Sequence, residues 1–172
     1  SAQIQALNSN QIRALNTAQI AILRQDQVKG ISSSVIGSLS INQISTLSTF
    51  QIRALETEQI IGLIESQISY LSNSQIESLS GTQVAALETR DLVSFNSTQL
   101  QAIGTGQISQ LTSTQIAALQ PNQLASLSTA QFQALKTGQI AAITTAQYIS
   151  ASGNQLKVLN SQQIAAIDTQ DV

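Results

Sequence analysis

An uninterrupted eight-residue period constrains this chain more than any other feature. Starting at Gln3, the register lands on Gln11, Gln19, Gln27 and onward to Gln163, with only Val35, Asp91 and Asp171 departing from glutamine. Position two is always apolar (Ile4, Ile12, Ile20, Val28, Ile36), with Phe132 and Tyr148 as bulky variants. Position five is nearly always Leu or Ile (Leu7, Leu15, Leu23, Ile31, Leu39), with Phe95 and Ala151 as exceptions. Position four favours Ala or Ser, and positions seven and eight are small or polar. The consensus is Gln-Ile-x-Ala-Leu-x-Thr-x. About 21 octads run through residues 1–172 as one continuous repeat domain.

Eight residues per repeat exclude one long helix. At about 100° per residue the apolar stripe drifts by roughly 80° each octad and never faces one core. A strand fits no better, because positions two and five, three apart, fall on opposite faces of a pleat. Three apart is helical spacing, so each octad holds one short helix and one turn. Capping chemistry sets the frame. With position six as N-cap, the Gln is N3 and the Ile N4. Ser or Thr at the cap with Gln at N3 is a capping box, and Leu at N′ facing Ile at N4 is a hydrophobic staple. Thr112 to Gln115, Ser128 to Gln131 and Thr144 to Gln147 fit it, and the sole proline, Pro121, falls at N1, where its missing N–H costs nothing. Capping thus explains the recurrent Gln; a polar ladder offered to a ligand is the other reading. Helices this short are unstable alone, so the octads must stack as solenoid units do.

The caps alternate. Even octads carry Asn16, Ser32, Ser48, Ser80, Asn96, Thr112, Ser128, Thr144 and Asn160, with Ile64 as the exception. Odd octads mix in Arg24, Glu56, Glu88, Gln120 and Lys136. The alternation predicts an all-α solenoid with two helices, sixteen residues, per coil. The linker this requires is very short, so a square coil of four helices stays open. A β-solenoid with sixteen-residue coils, stacking its Gln side chains into ladders, is the alternative.

The repeat resembles the short Gln-Ile-x-Ala-Leu-x-Thr tandem arrays of large secreted or surface-exposed bacterial proteins, along the whole chain. That resemblance implies a bacterial origin and export as part of a long polypeptide. Residues Leu119 to Leu127 are also similar to the first helix of a transcription-activator-like effector repeat, which reads Leu-Thr-Pro-x-Gln-Val-Val-Ala-Ile. That family has far longer repeats with a base-reading loop. Only its helix frame carries over, with Pro121 at N1 and Gln123 at N3, and no DNA binding.

Composition narrows the chemistry. Charged residues make up 9% of the chain, net charge is -2, and His and Cys are absent. Seven scattered cations build no phosphate-binding patch or membrane-facing cluster, so neither nucleic acid nor membrane insertion is expected. Without His or Cys the usual metal and nucleophile sets are missing, and the carboxylates are scattered. We expect no enzyme, cofactor or metal.

Two functions remain. The first is an extracellular structural protein, a self-assembling filament or matrix or a surface spacer. The pattern opens at Ser1-Ala2-Gln3-Ile4 and stops mid-octad at Asp171-Val172. No capping repeat marks either end, so the expected partner is more of the same polypeptide or a second copy docked end to end. The first residue, Ser1 rather than Met, points to processing or to a segment of a longer array. The second is a binding module. Its candidate ligand or assembly face is Ser32, Ser48, Ser80, Asn96, Thr112, Ser128, Thr144 and Asn160, presented to a repetitive ligand such as glycan or ice.

Overall fold

The computed structural model describes residues 2–167, and Ser1, Asp168 and the Asp171-Val172 end lie outside them. It contains twenty-one short helices, one per octad, from α1 (Ala2–Gln5) to α21 (Ser161–Ala165), and no strand among the described residues. The β-solenoid alternative is therefore incorrect. The physical reason is the three-residue spacing of the two apolar positions, which suits a helical turn and not a pleat. The residues group into two compact units, Ser1–Leu87 and Glu88–Val172, and the same local design operates within each.

Position six is the N-cap throughout α2 (Ser9–Ala14) to α21, always in extended backbone. One half of the capping box is nearly universal. The Gln at N3 turns its Oε1 back to accept the cap residue's N–H, at 2.9 Å for Arg24, 2.8 Å for Ile64 and 2.7 Å for Lys136. The other half depends on a small cap. Ser48, Thr112 and Asn160 accept the N3 N–H, whereas Arg24, Glu56, Ile64 and Lys136 make no such bond. Position six thus tolerates almost any side chain because the Gln at N3 already protects the first turn. Pro121 opens α16 (Pro121–Ala125) at N1 after an extended Gln120.

The Gln has a second task. In the first unit the Gln43 Nε2 donates to the carbonyls of Ile12 at 2.9 Å and Leu15 at 2.7 Å. Gln51, Gln59, Gln67, Gln75 and Gln83 repeat the bond to positions two and five of the octad four back. In the second unit Gln131, Gln139, Gln147 and Gln155 do the same. Those carbonyls close the C-terminal end of a helix, where groups lack intrahelical donors. Each helix end reached by such a Gln is thus capped from the next coil.

Side-by-side packing has a different step. In the first unit α4 (Gln25–Lys29) packs on α7 (Thr49–Ala54), and α7 on α10 (Asn73–Ser78); in the second, α16 packs on α19 (Thr145–Ser150). Neighbours are three octads apart and hook partners four, so one turn holds between three and four octads. The expected sixteen-residue coil is incorrect. Cap alternation records whether a small side chain returns to the N3 N–H, a local matter that does not set coil closure. The four-helix coil lies nearer the observed one.

The core is two rows. Position two is fully buried from Ile12 through Ile140 and position five nearly so from Ile31 through Ile143, each worth about 1.5–3 kcal/mol over an exposed side chain. Phe95 and Phe132 fill these rows. Tyr148 is also buried, its hydroxyl donating to the Ile140 carbonyl at 2.7 Å; the small Ala151 stands at position five of the same octad. Phe50, at position eight, is exposed. Where α5 (Ser33–Ile36) meets α8 (Thr57–Ile61), backbones touch. A Cβ on Gly37 would lie 2.6 Å from the Gly62 carbonyl oxygen, and one on Gly62 would fall on the Ser33 carbonyl. Only glycine fits at either position.

Two substitutions test the hook. Gln131→Glu keeps the acceptor for the Ser128 N–H but turns an oxygen toward the Leu100 and Ile103 carbonyls. It should cost about 3–5 kcal/mol at neutral pH, as for other unpaired buried charges. The folded chain should hold that carboxyl's proton more tightly than the unfolded chain, so the deficit shrinks as pH falls and grows as it rises. An unchanged urea midpoint would show that capping alone explains the Gln. Conversely, Val35→Gln restores an acceptor for the Ser32 N–H and an Nε2 donor, and should raise stability by about 1 kcal/mol in the same assay.

Candidate functional site

The eight residues expected to form one face are all N-caps. Seven lie exposed and Ser80 is half-buried. Ser48, Ser80, Asn96, Thr112, Ser128, Thr144 and Asn160 spend a side-chain oxygen on their own helix, accepting the Gln N–H at 2.9–3.4 Å. Ser32 instead pairs with the Ser34 hydroxyl at 3.1 Å. Successive alternate-octad caps are two octads apart, whereas side-by-side helices are three apart. Within each unit the structure therefore distributes the set around the coil and does not align consecutive members into a ladder. Their oxygens are committed to capping, worth about 0.5–2 kcal/mol per helix.

Concavities occur instead between coils, in register with the Gln hooks. In the second unit a groove of about 540 Å³ runs between Val93, Phe95, Asn96 and Ser97 on one coil and Gln120 and Asn122 on the next. Beneath it Gln123 departs from the usual hook. Its Nε2 lies 3.4 Å from the position-two carbonyl of Leu92 and reaches the carbonyls of Val93 and Phe95 at 2.9 Å. The neighbouring departures from consensus are Phe95 in a Leu position and Pro121 at N1. The first unit has a counterpart of about 410 Å³ between Lys29, Gly30 and Ser32 on one side and Glu56 and Glu58 on the other. There Lys29 and Glu56 pair at 3.2 Å. The two grooves share a place in the repeat and differ in chemistry: one carries charges, the other amides and hydroxyls.

Titratable chemistry is sparse. Among the described residues no three His, Cys, Asp or Glu side chains gather as metal ligands. Asp26 is exposed, and its hydrogen bond with the Arg24 guanidinium holds its carboxyl below the usual range. Asp91 is buried at N3 and accepts the Glu88 N–H at 3.0 Å, taking over the acceptor half of the Gln role. No described helix is long and apolar enough to cross a membrane.

The donor half of the Gln is not implied by capping alone. The signal was present: a capping box accepts Glu as readily as Gln, yet the chain's Glu residues (Glu56, Glu58, Glu65, Glu77, Glu88) never occupy position one. Only a side-chain amide accepts from its own cap and donates to the neighbouring coil.

A family model described as the ALTTAQ repeat matches residues 1–33, 84–121 and 116–150, together more than half of the chain. Its six letters spell positions four to eight and the following position one: the end of one helix, the cap, and the Gln at N3. Ala142 to Gln147 differ from them only at Ile143. No curated protein matches the chain. The chain, a tandem-repeat protein folded as a helical solenoid, belongs to the ALTTAQ repeat family.

Proposed function

We propose that this chain is a non-catalytic structural scaffold whose coil faces dock onto further coils, as a segment of a secreted or surface-exposed bacterial filament, matrix or spacer. The observation that carries this reading is the hook. Most junctions between coils within a unit use the same donor, the Gln Nε2, and the same pair of carbonyls, so the surface that binds one coil is already complementary to another. At the first coil Gln11 and Gln19 are exposed, with Oε1 held by the cap N–H of Asn8 at 3.0 Å and of Asn16 at 2.9 Å. In later octads the Nε2 end of the same side chain donates to the octad four back. In the second unit Leu156 and Ile164 hold position two yet are 37% and 55% exposed. These are the two halves of one junction. Further octads of the same polypeptide or a second copy would complete it, head to tail, without closure. The residue types support the non-catalytic reading, because a chain without His or Cys offers little for acid-base or nucleophilic work. Export rests on the likeness to secreted bacterial arrays. A second reading, a module that binds a neutral ligand, is favoured by the amide-lined groove of the second unit.

Electron microscopy and sedimentation over a concentration range test the scaffold. Concentration-dependent linear oligomers are expected for the chain of residues 1–172. The double variant Gln11→Glu, Gln19→Glu keeps both cap acceptors and removes both donors. It should melt within a few degrees of the parent and shift association to about tenfold higher concentration, the worth of one or two hydrogen bonds. A parent that stays monomeric at millimolar concentration would end the copy-to-copy version.

A further inference from the structure

We propose that the groove of the second unit is a binding site for a neutral polyhydroxyl ligand, a short segment of glycan chain. The proposal rests on the second of the two functional readings. It places the site in a groove, away from the distributed caps.

The groove's volume of about 540 Å³ lies within the range of small-molecule sites and admits one or two sugar rings. Its exposed polar lining comes from Asn96, Ser97, Gln120 and Asn122, with Gln123 and Ser126 beneath, and all six are uncharged. Amides and hydroxyls each donate and accept, as sugar hydroxyls do, whereas an ionic ligand finds no counter-charge in this lining. Asn96 is already oriented. Its Oδ1 accepts the Gln99 N–H and the Thr98 hydroxyl, at 3.0 and 2.6 Å, which fixes the amide plane. The Nδ2 remains available as a directed donor. Gln120 is the N-cap of α16 but makes no side-chain cap bond, so its amide is not spent on the helix. Across the groove, Gln123 ties the two walls together through the Val93 and Phe95 carbonyls. The walls are thus held apart at a set spacing before any ligand arrives, which lowers the ordering cost of binding. The counterpart groove of the first unit lacks this character, because Lys29 and Glu56 pair there; it serves as an internal control.

The test is a backbone-amide NMR titration of the whole chain with two neutral probes, cellohexaose and maltohexaose. Saturable shifts are expected within residues 93–97 and 120–126, with little change at 29–33 and 56–59. Asn96→Asp retains the cap acceptor and removes the donor, and Asn122→Ala removes an exposed amide that makes no cap bond. Each should weaken binding about fivefold to tenfold, the worth of one hydrogen bond, with the fold intact as judged by unshifted resonances elsewhere. Saturable shifts centred on other residues would overturn the site while leaving the binding-module reading standing. Absence of saturable shifts with both probes at about 10 mM, weaker than any ordinary recognition affinity, would overturn the site and remove the support for that reading.

Discussion

The structure depends on one side chain satisfying two coils. A primary amide has an acceptor end and a donor end, about 2 Å apart and rigidly opposed. In each regular octad the acceptor end protects the first turn of its own helix, and the donor end protects the last turn of a helix in the neighbouring coil. A helix of four to six residues leaves nearly all its backbone groups at one end or the other. For such helices end protection is most of the backbone problem, and burial of the Gln becomes tolerable because every one of its polar atoms is used. The amide thereby couples local helix formation to coil stacking, and neither is stable without the other.

Much else follows from that coupling. Because the Gln at N3 already takes the cap N–H, position six is released to Arg24, Glu56, Ile64 or Lys136 without loss of the helix. Position four must stay small where neighbouring coils meet closely, reaching glycine at Gly62. Positions two and five are fixed by burial and by supplying the carbonyls that the hook requires. Every residue, whatever its side chain, has the same backbone carbonyl, so Phe95 and Tyr148 can enter those rows without losing the acceptor.

The legible part of the fold was the part carried by neighbours in sequence. The N-cap at position six, Gln at N3, Pro121 at N1 and the two apolar rows are read from residues three or four apart, and those interactions are local. The coil size was not legible, because it is set by bonds spanning 28 and 31 residues, which leave no trace in the spacing within an octad. Cap alternation looked like a second period, but it tracked a half of the capping box that the helix can do without. The arrangement of the candidate face was not legible for the same reason. Thr112, Ser128 and Thr144 align in a list of octads, yet a face is defined by the coil, and the coil does not close every two octads. The Gln donor role was legible in principle, through the absence of Glu from position one.

A junction that repeats without change has a consequence for how such a chain acquires specificity. Regular octads present the same surface again and again, so they offer extension and little discrimination. Distinct chemistry has to come from octads that break the rule. Phe95 and Pro121 are such breaks, and beside them Gln123 moves from the position-two carbonyl toward that of position three. The hook bends but does not let go, since the Phe95 carbonyl is still reached at 2.9 Å. The scaffold thus tolerates a local opening at little cost to its neighbours, because stability in a solenoid is a sum over adjacent contacts. The structural role and the proposed recognition role therefore do not compete in this architecture: the consensus positions supply the scaffold, and departures from them supply the local differences in surface chemistry.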